Sequence, residues 1–136
     1  MIKLLFLLLL APVLASSDKQ CSSISIEKLN LCVELAISQR EKSKGLMYRK
    51  DLSNSDGMLF VWKNAGKRCM WMKNTFIDLS VAFIDRERKI TEIKELQSKS
   101  LESICSSSGN IIAAIEMNEG WFKENSLEPG VEVFLP

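Results

Sequence analysis

The hydrophobic positions of the chain fall into short runs separated by polar segments. In residues 31–37, Leu31, Val33, Leu35 and Ile37 occupy alternate positions, which is the period-two pattern of a strand with one buried face. Other short runs rich in apolar and β-branched residues lie at 22–26, 79–84, 89–96, 111–117 and 131–135. Seven or so short strands predict a mainly β domain, either a small β-sandwich or a partly closed barrel.

Two β-hairpins follow from the order of these runs. The first joins residues 22–26 to 31–37 through the polar residues 27–30, and the second turns at residues 85–88. The serine-rich residues 97–110 predict a long loop.

One or two short helices complete the predicted secondary structure. Residues 38–44 are polar and compatible with a helix, which Gly45 would end. Residues 119–125 suit a second short helix with Trp121 and Phe122 facing inward.

The most informative stretch is residues 57–75, GMLFVWKNAGKRCMWMKNT. Its two apolar runs are separated by the polar residues 63–67, which predicts a pair of buried strands joined by a solvated turn. The polar residues Lys73, Asn74 and Thr75 follow the second predicted strand. We expect the core to take the apolar side chains Met58, Leu59, Phe60 and Met72.

The first residues have the pattern of a secretory signal peptide. Lys3 precedes a short apolar run, and the small residues Val13 and Ala15 suit cleavage after Ala15. The run is shorter than the roughly 20 residues that cross a bilayer. We therefore expect residues 1–15 to be removed, residues 16–136 to form a single domain, and the protein to be secreted or periplasmic.

The charge balance argues against a nucleic-acid partner. One of the 18 basic residues, Lys3, lies in the predicted signal peptide, so the mature chain has as many basic as acidic residues, 17 of each. This balance gives no electrostatic footprint for nucleic acid. We expect a monomer that does not associate with membranes after cleavage, with a small molecule or an envelope protein as its partner.

The four cysteines all lie in the predicted mature chain. An even number in an exported protein predicts two disulfides, and we favour Cys21–Cys32 and Cys69–Cys105. A two-residue turn in the first hairpin would set Cys21 opposite Ala36, so the first pairing needs another register or a bent start. No two cysteines form a CxxC motif, and a thioredoxin-like role has no support.

Several motifs make the chain similar to one protein family. Gly45-Leu46-Met47 with Arg49, GMLF at 57–60, WMKNT at 71–75 and Glu116 followed by Gly120-Trp121 occur in the order and spacing of the DUF192 family. The resemblance covers about residues 31–133. It implies a compact β-sandwich of jelly-roll type that is often exported from bacterial cells, and it implies no activity or substrate, because the family has none assigned.

Three positions depart from the family pattern. Asp78-Leu79-Ser80 stands where members often have Pro-Leu-Asp, Lys42 replaces the usual arginine, and Val131 replaces a common aspartate. Any chemistry that the displaced aspartate carries in relatives is in doubt here unless Asp78 substitutes for it.

A polar cluster is the best candidate for a binding site. An arginine fork suits a carboxylate or phosphate, and an ammonium, an amide and a hydroxyl at the end of a buried strand can orient a ligand beside an indole wall. The alternative is structural, with the amide and hydroxyl capping a turn and Arg49 pairing with Glu34 or Glu116. The candidate ligand-binding residues are Arg49, Trp71, Lys73, Asn74, Thr75 and Asp78.

The absence of histidine from the chain restricts catalysis and metal binding. Histidine-based nucleophilic triads are impossible, and zinc hydrolase ligand sets are implausible. An acid/base pair of carboxylates drawn from Asp56, Asp78 and Glu116 is one alternative. Another is Cu(I) binding by Met70 and Met72, which requires a third soft ligand nearby.

The sequence therefore favours a small exported β-domain that binds a ligand or partner without catalysis and without a resident cofactor. A carboxylate-dependent envelope hydrolase is the second hypothesis. A structural module without a pocket is the third, and Cu(I) binding through methionine and cysteine is a minor fourth.

Overall fold

A computed structural model of the chain describes residues 20–136, so the predicted signal peptide lies outside the described residues. Two short helices are present, α1 (Gln39–Lys44) and α2 (Trp121–Glu124). The strands, in chain order, are β1 (Ser22–Ile26), β2 (Leu29–Ala36), β3 (Gly57–Gly66), β4 (Cys69–Met70), β5 (Leu79–Asp85), β6 (Ile90–Leu96), β7 (Ile104–Cys105), β8 (Ile111–Asn118) and β9 (Val133–Phe134). The prediction of a mainly β fold with one or two short helices is confirmed.

Seven of these strands form one curled sheet in the order β6-β5-β8-β3-β2-β1-β9. Strands β2 and β3 pair in parallel, and the other neighbours pair antiparallel. The two edges meet at one end, where Lys89 bridges to Glu132 and the Ile90 N–H donates to the Val131 carbonyl at 2.9 Å. The sheet is therefore a half-barrel, closed at that end only.

The sheet is apolar on both faces, which explains why its central strands read as nearly continuous hydrophobic runs. One face is turned inside the half-barrel and receives a buried side chain from each of its seven strands: Ile24, Val33, Leu59, Ala82, Ile90, Ile115 and Val133. Trp121 and Phe122 of α2 pack into this interior, as the sequence predicts. The outer face is buried by a second cluster that includes Met58, Phe60, Met70, Met72, Val81, Phe83 and Ala114.

The segment after β2 becomes helical because its ends are well capped. The Ser38 hydroxyl accepts from the Glu41 N–H at 3.1 Å, and the Glu41 carboxylate accepts from the Ser38 N–H. This reciprocal pair is a capping box, which satisfies two backbone donors of the first turn. Gly45 ends the helix at φ +48°, a conformation that favours glycine.

The prediction of two buried strands in residues 57–75 is wrong. Strand β3 continues through Lys63 and Asn64 to Gly66, so these polar residues are exposed positions of a bulged strand. The second apolar run contributes only the two residues of β4, which pairs with β7 in a separate two-stranded sheet. Lys63 and Asn64 are exposed at the far end of the long strand β3, and in the sequence such polar residues cannot be told from a turn.

Each disulfide connects positions that the strand register brings together. Cys69 lies directly opposite Cys105 in the β4–β7 pair, with 3.9 Å between their Cα atoms. In the first hairpin the two-residue turn lies at residues 27–28. A register that paired Cys21 with Ala36 would need this turn one residue later in the chain. In the observed register Ser23 faces Cys32, and Cys21, just before β1, reaches Cys32 diagonally. Both pairings are the ones that the sequence favoured.

No helix within residues 20–136 is long and apolar enough to cross a membrane.

Candidate functional site

A cavity of about 300 Å³ lies over the outer face of the sheet. Strands β3 and β8 form its floor, while α1, the turn after α1 and the segment following β4 surround it. Its lining combines apolar walls with a few polar groups: Gln39, Lys42, Ser43, Lys44, Gly45, Leu46, Met47, Phe60, Trp62, Cys69, Met70, Trp71, Met72, Thr75, Ser103 and Glu116. This mixture is typical of small-ligand pockets.

Glu116 is the distinctive group of this cavity. It lies on β8 between Met58 of β3 and Val81 of β5, so apolar side chains flank it on both sides in the sheet. It is only 4% exposed, and no hydrogen bond or ion pair reaches its side chain from residues 20–136. No fully enclosed side-chain oxygen or nitrogen in that range lacks a hydrogen-bond partner, so the carboxyl oxygens of Glu116 must open onto the cavity.

Burial also sets the protonation state of Glu116. Desolvation raises the pKa of its carboxyl to about 8, because the charged form loses water without gaining a partner. At neutral pH the group is therefore mostly a neutral acid, which can donate one hydrogen bond and accept others.

Thr75 also lines the cavity, and its hydroxyl donates to the Lys73 carbonyl at 3.4 Å. A tight turn positions it, since the Thr75 N–H donates to the Met72 carbonyl at 3.1 Å and Asn74 has φ +55°. The Lys99 N–H donates to the Thr75 carbonyl at 2.8 Å and fixes the turn to the following loop. The WMKNT motif is thus a turn held by its own backbone.

Basic side chains stand at the same cavity. The Lys42 ammonium donates to the Val61 carbonyl at 3.0 Å and lies 5.4 Å from the centre of the Trp62 ring. Lys44 also lines the cavity. The lining therefore contains two basic residues, Lys42 and Lys44, and one acidic residue, Glu116.

The structure brings together two of the six predicted ligand-binding residues. Trp71 and Thr75 both line the cavity, and Trp71 is 47% exposed at its edge. Lys73 is exposed, with its ammonium 5.6 Å from the centre of the Trp71 ring, and does not line the cavity. The Asn74 amide donates to the Tyr48 hydroxyl at 3.2 Å, outside the cavity.

The other two predicted residues are engaged elsewhere. Arg49 forms a two-pronged ion pair with Glu34, at 2.5 and 2.7 Å, which is the structural alternative that the sequence left open. This pair raises the pKa of the Arg49 guanidinium. Asp78 lies in a different hollow, where its carboxylate accepts from the Ser98 N–H at 2.8 Å.

The carboxylate-pair hypothesis needs two acids in one cleft. Asp78 and Glu116 line separate hollows, and Asp56 lies in a third beside Arg49. Among the described acids, none accompanies Glu116 in its cavity. The two-carboxylate chemistry of glycosidases has no support at this site.

Sequence reasoning missed Lys42 and Met47 as cavity residues and placed Glu116 only among candidate acids or partners of Arg49. One signal was available for Glu116, because it is a lone acid inside the apolar run of residues 111–117. A strand buried on both faces has no solvent side for a carboxylate, so such a residue needs a partner or a cavity.

Comparisons with known proteins agree with this architecture. The family model DUF192, described as "Uncharacterized ACR, COG1430", matches residues 22–135. A proposed transcription regulator from Sinorhizobium meliloti 1021 has a similar structure, with a TM-score of 0.76 and 30% identity over 82% of this chain and 88% of its own. A protein of unknown function from Novosphingobium aromaticivorans DSM 12444 has a TM-score of 0.80 and 25% identity, over 92% and 90% of the two chains. Among curated proteins, none matches the sequence.

Proposed function

The chain belongs to the DUF192 family, and we propose that it is an exported domain that binds a small ligand in the cavity around Glu116 without catalysing a reaction. The proposal that it is exported rests on the signal-peptide pattern of residues 1–15 and agrees with the two disulfides. Sequencing the N-terminus of the mature protein tests this part, since export predicts a chain that begins near Ser16.

The burial of Glu116 is the observation that carries the binding proposal. An acid placed between Met58 and Val81 loses hydration and gains no protein partner in return. Buried polar groups are nearly always hydrogen-bonded, so a group without a partner at the floor of a cavity is a candidate to bind a ligand. A ligand that fills the cavity and bonds this carboxyl would satisfy it.

The same cavity favours binding over the two main alternatives. A purely structural module needs no hollow of about 300 Å³ next to an unpaired acid. A hydrolase of the two-carboxylate kind needs a second acid beside Glu116, and the described residues supply none there. A neutral acid, the Thr75 hydroxyl and the basic rim of Lys42 and Lys44 can orient a ligand without any bond being broken.

Thermal-shift screening with small organic compounds and metal salts tests the proposal. A ligand at 100 times its Kd adds about 2.7 kcal/mol to the free energy of unfolding, which gives a readily measured rise in Tm. We expect hits that raise the Tm of the wild type and of the control variant Glu119→Gln, which removes an exposed acid. Glu116→Gln should respond less to the same hits.

Two outcomes would overturn the proposal. One is a wild-type protein whose Tm no compound raises. The other is a set of hits that act equally on wild type and Glu116→Gln, each measured against its own ligand-free Tm.

A further inference from the structure

Three methionines from two separate segments line the cavity around Glu116. Met47 lies in the turn after α1, and Met70 and Met72 lie at and just after β4. We propose that the ligand of this cavity is a soft monovalent metal ion, Cu(I), bound through the thioether sulfurs of Met47, Met70 and Met72. This inference rests on the proposed binding function of the cavity.

The donor chemistry points to a soft ion. Thioether sulfur is a neutral, polarisable donor that suits Cu(I) and binds hard cations such as Mg²⁺ or Ca²⁺ poorly. No group of three or more His, Cys, Asp or Glu residues within 20–136 is arranged to hold a metal, and the chain has no histidine. All four cysteines are in disulfides, so no thiolate competes with the thioethers for the ion.

Met70 and Met72 are packed in one apolar cluster, and Met47 lines the cavity from the turn after α1. Met72 is fully buried and Met70 nearly so, in the same apolar cluster as Phe60. The Cys69–Cys105 disulfide fixes the chain immediately before Met70. In the turn after α1, Gly45 has φ +48° and the Met47 N–H donates to the Lys44 carbonyl at 3.0 Å.

A cavity of about 300 Å³ is larger than a single metal ion, so the methionine side chains would have to move toward the ion to bind it. A methionine side chain is unbranched and has three rotatable bonds, so its sulfur can move toward an ion without a backbone shift. Three neutral thioethers leave the bound ion with its single positive charge. Lys42 and Lys44 also line the cavity, and their positive charges repel a divalent cation more strongly than a monovalent one.

Core packing is the competing explanation for buried methionines. The chain offers a matched control in Met58, which is buried in the same cluster as Met70 and Met72 but does not line the cavity. If methionine is only a filler here, replacing Met58 should have the same consequences as replacing any of the other three.

Silver ion, a redox-stable substitute for Cu(I), is the first probe. Ag(I) is titrated in chloride-free buffer, and Cu(I) is titrated without oxygen against a chromophoric Cu(I) chelator, with ascorbate as reductant. The variants Met47→Leu, Met70→Leu, Met72→Leu and Met58→Leu are compared, because Met and Leu exchange with little change in volume. Circular dichroism and Tm establish that each variant is folded.

We expect one ion per wild-type chain. Each cavity variant should weaken binding at least about tenfold, the loss that even outer-shell changes produce at metal sites, while Met58→Leu should match the wild type. Absence of Ag(I) and Cu(I) binding would overturn the inference, as would equal affinities in all four variants.

The ion titrations and the thermal-shift screen together distinguish failure of the metal assignment from failure of the proposed binding function. If organic compounds bind in a Glu116-dependent way while neither ion binds, the cavity is a ligand site and the metal assignment is wrong. If neither the ions nor any organic compound binds, both proposals fail.

Discussion

The buried carboxyl of Glu116 gives the stability of the protein a distinctive dependence on pH. In the unfolded chain a glutamate has its ordinary pKa of 4.5, whereas burial raises the pKa in the folded state to about 8. Below pH 4.5 the group is protonated in both states and contributes no pH dependence. Between pH 4.5 and about 8 the unfolded state releases the proton that the folded state retains, so the free energy of unfolding falls as the pH rises.

The size of this effect follows from the two pKa values. One pKa unit corresponds to about 1.4 kcal/mol, so raising the pKa from 4.5 to about 8 costs on the order of 5 kcal/mol once the pH exceeds 8. Glu116→Gln keeps the shape of the side chain and cannot ionise. We expect the variant and the wild type to differ little in stability at pH 4, and the variant to be more stable by several kcal/mol at pH 9.

Denaturant unfolding at pH 4, 6, 7 and 9 measures the prediction, with both disulfides kept oxidised. Glu119→Gln is the control, because it removes one exposed acid and therefore reports the effect of net charge alone. If the free energies of unfolding of wild type and Glu116→Gln run parallel from pH 4 to 9, Glu116 is not the buried neutral acid described above. A larger advantage of Glu116→Gln at pH 4 than at pH 9 would also refute the reasoning.

Two further predictions concern the elements that frame the cavity. Gly45→Ala should lower the free energy of unfolding by about 1–2 kcal/mol, because its φ is +48° and an added Cβ would lie 3.3 Å from the Phe60 ring; Gly109→Ala, which meets nothing within 4 Å, should leave it unchanged. A double-mutant cycle of Arg49→Ala and Glu34→Ala should give a coupling free energy of about 1 kcal/mol, as expected for a half-buried two-pronged ion pair. If Arg49→Ala folds normally but no longer binds the ligand, Arg49 belongs to the binding site and is not only a partner of Glu34.

The strands could be predicted because their side chains follow local rules. Alternation along residues 31–37 identifies most of β2, and the continuous apolar runs at 79–84 and 111–117 identify the two central strands β5 and β8. The capping pair of Ser38 and Glu41 makes α1 helical through contacts only three residues apart. Such signals lie within one segment and need no knowledge of the tertiary fold.

The cavity could not be predicted in the same way, because its walls come from distant parts of the chain. Met47, Thr75 and Glu116 are far apart in sequence and meet only through the order of strands in the half-barrel. Arg49 was assigned to the site because its chemistry suits an anion, but the fold supplies Glu34 as that anion. Residue type indicated the chemistry available, and tertiary pairing decided which groups remained for a ligand.

The central claim, that the cavity around Glu116 is a ligand site, is tested most directly by NMR of a protein labelled with ¹³C at the methionine methyl groups. Met47, Met70 and Met72 line the cavity, whereas Met117 is buried on the opposite face of the sheet, inside the half-barrel. Leucine variants assign the signals, and the titrants are Ag(I) and the organic hits of the thermal-shift screen. We predict that the signals of the three cavity methionines move on binding while that of Met117 stays in place. Signals that do not move at all, or that move mainly at Met117, would contradict the account.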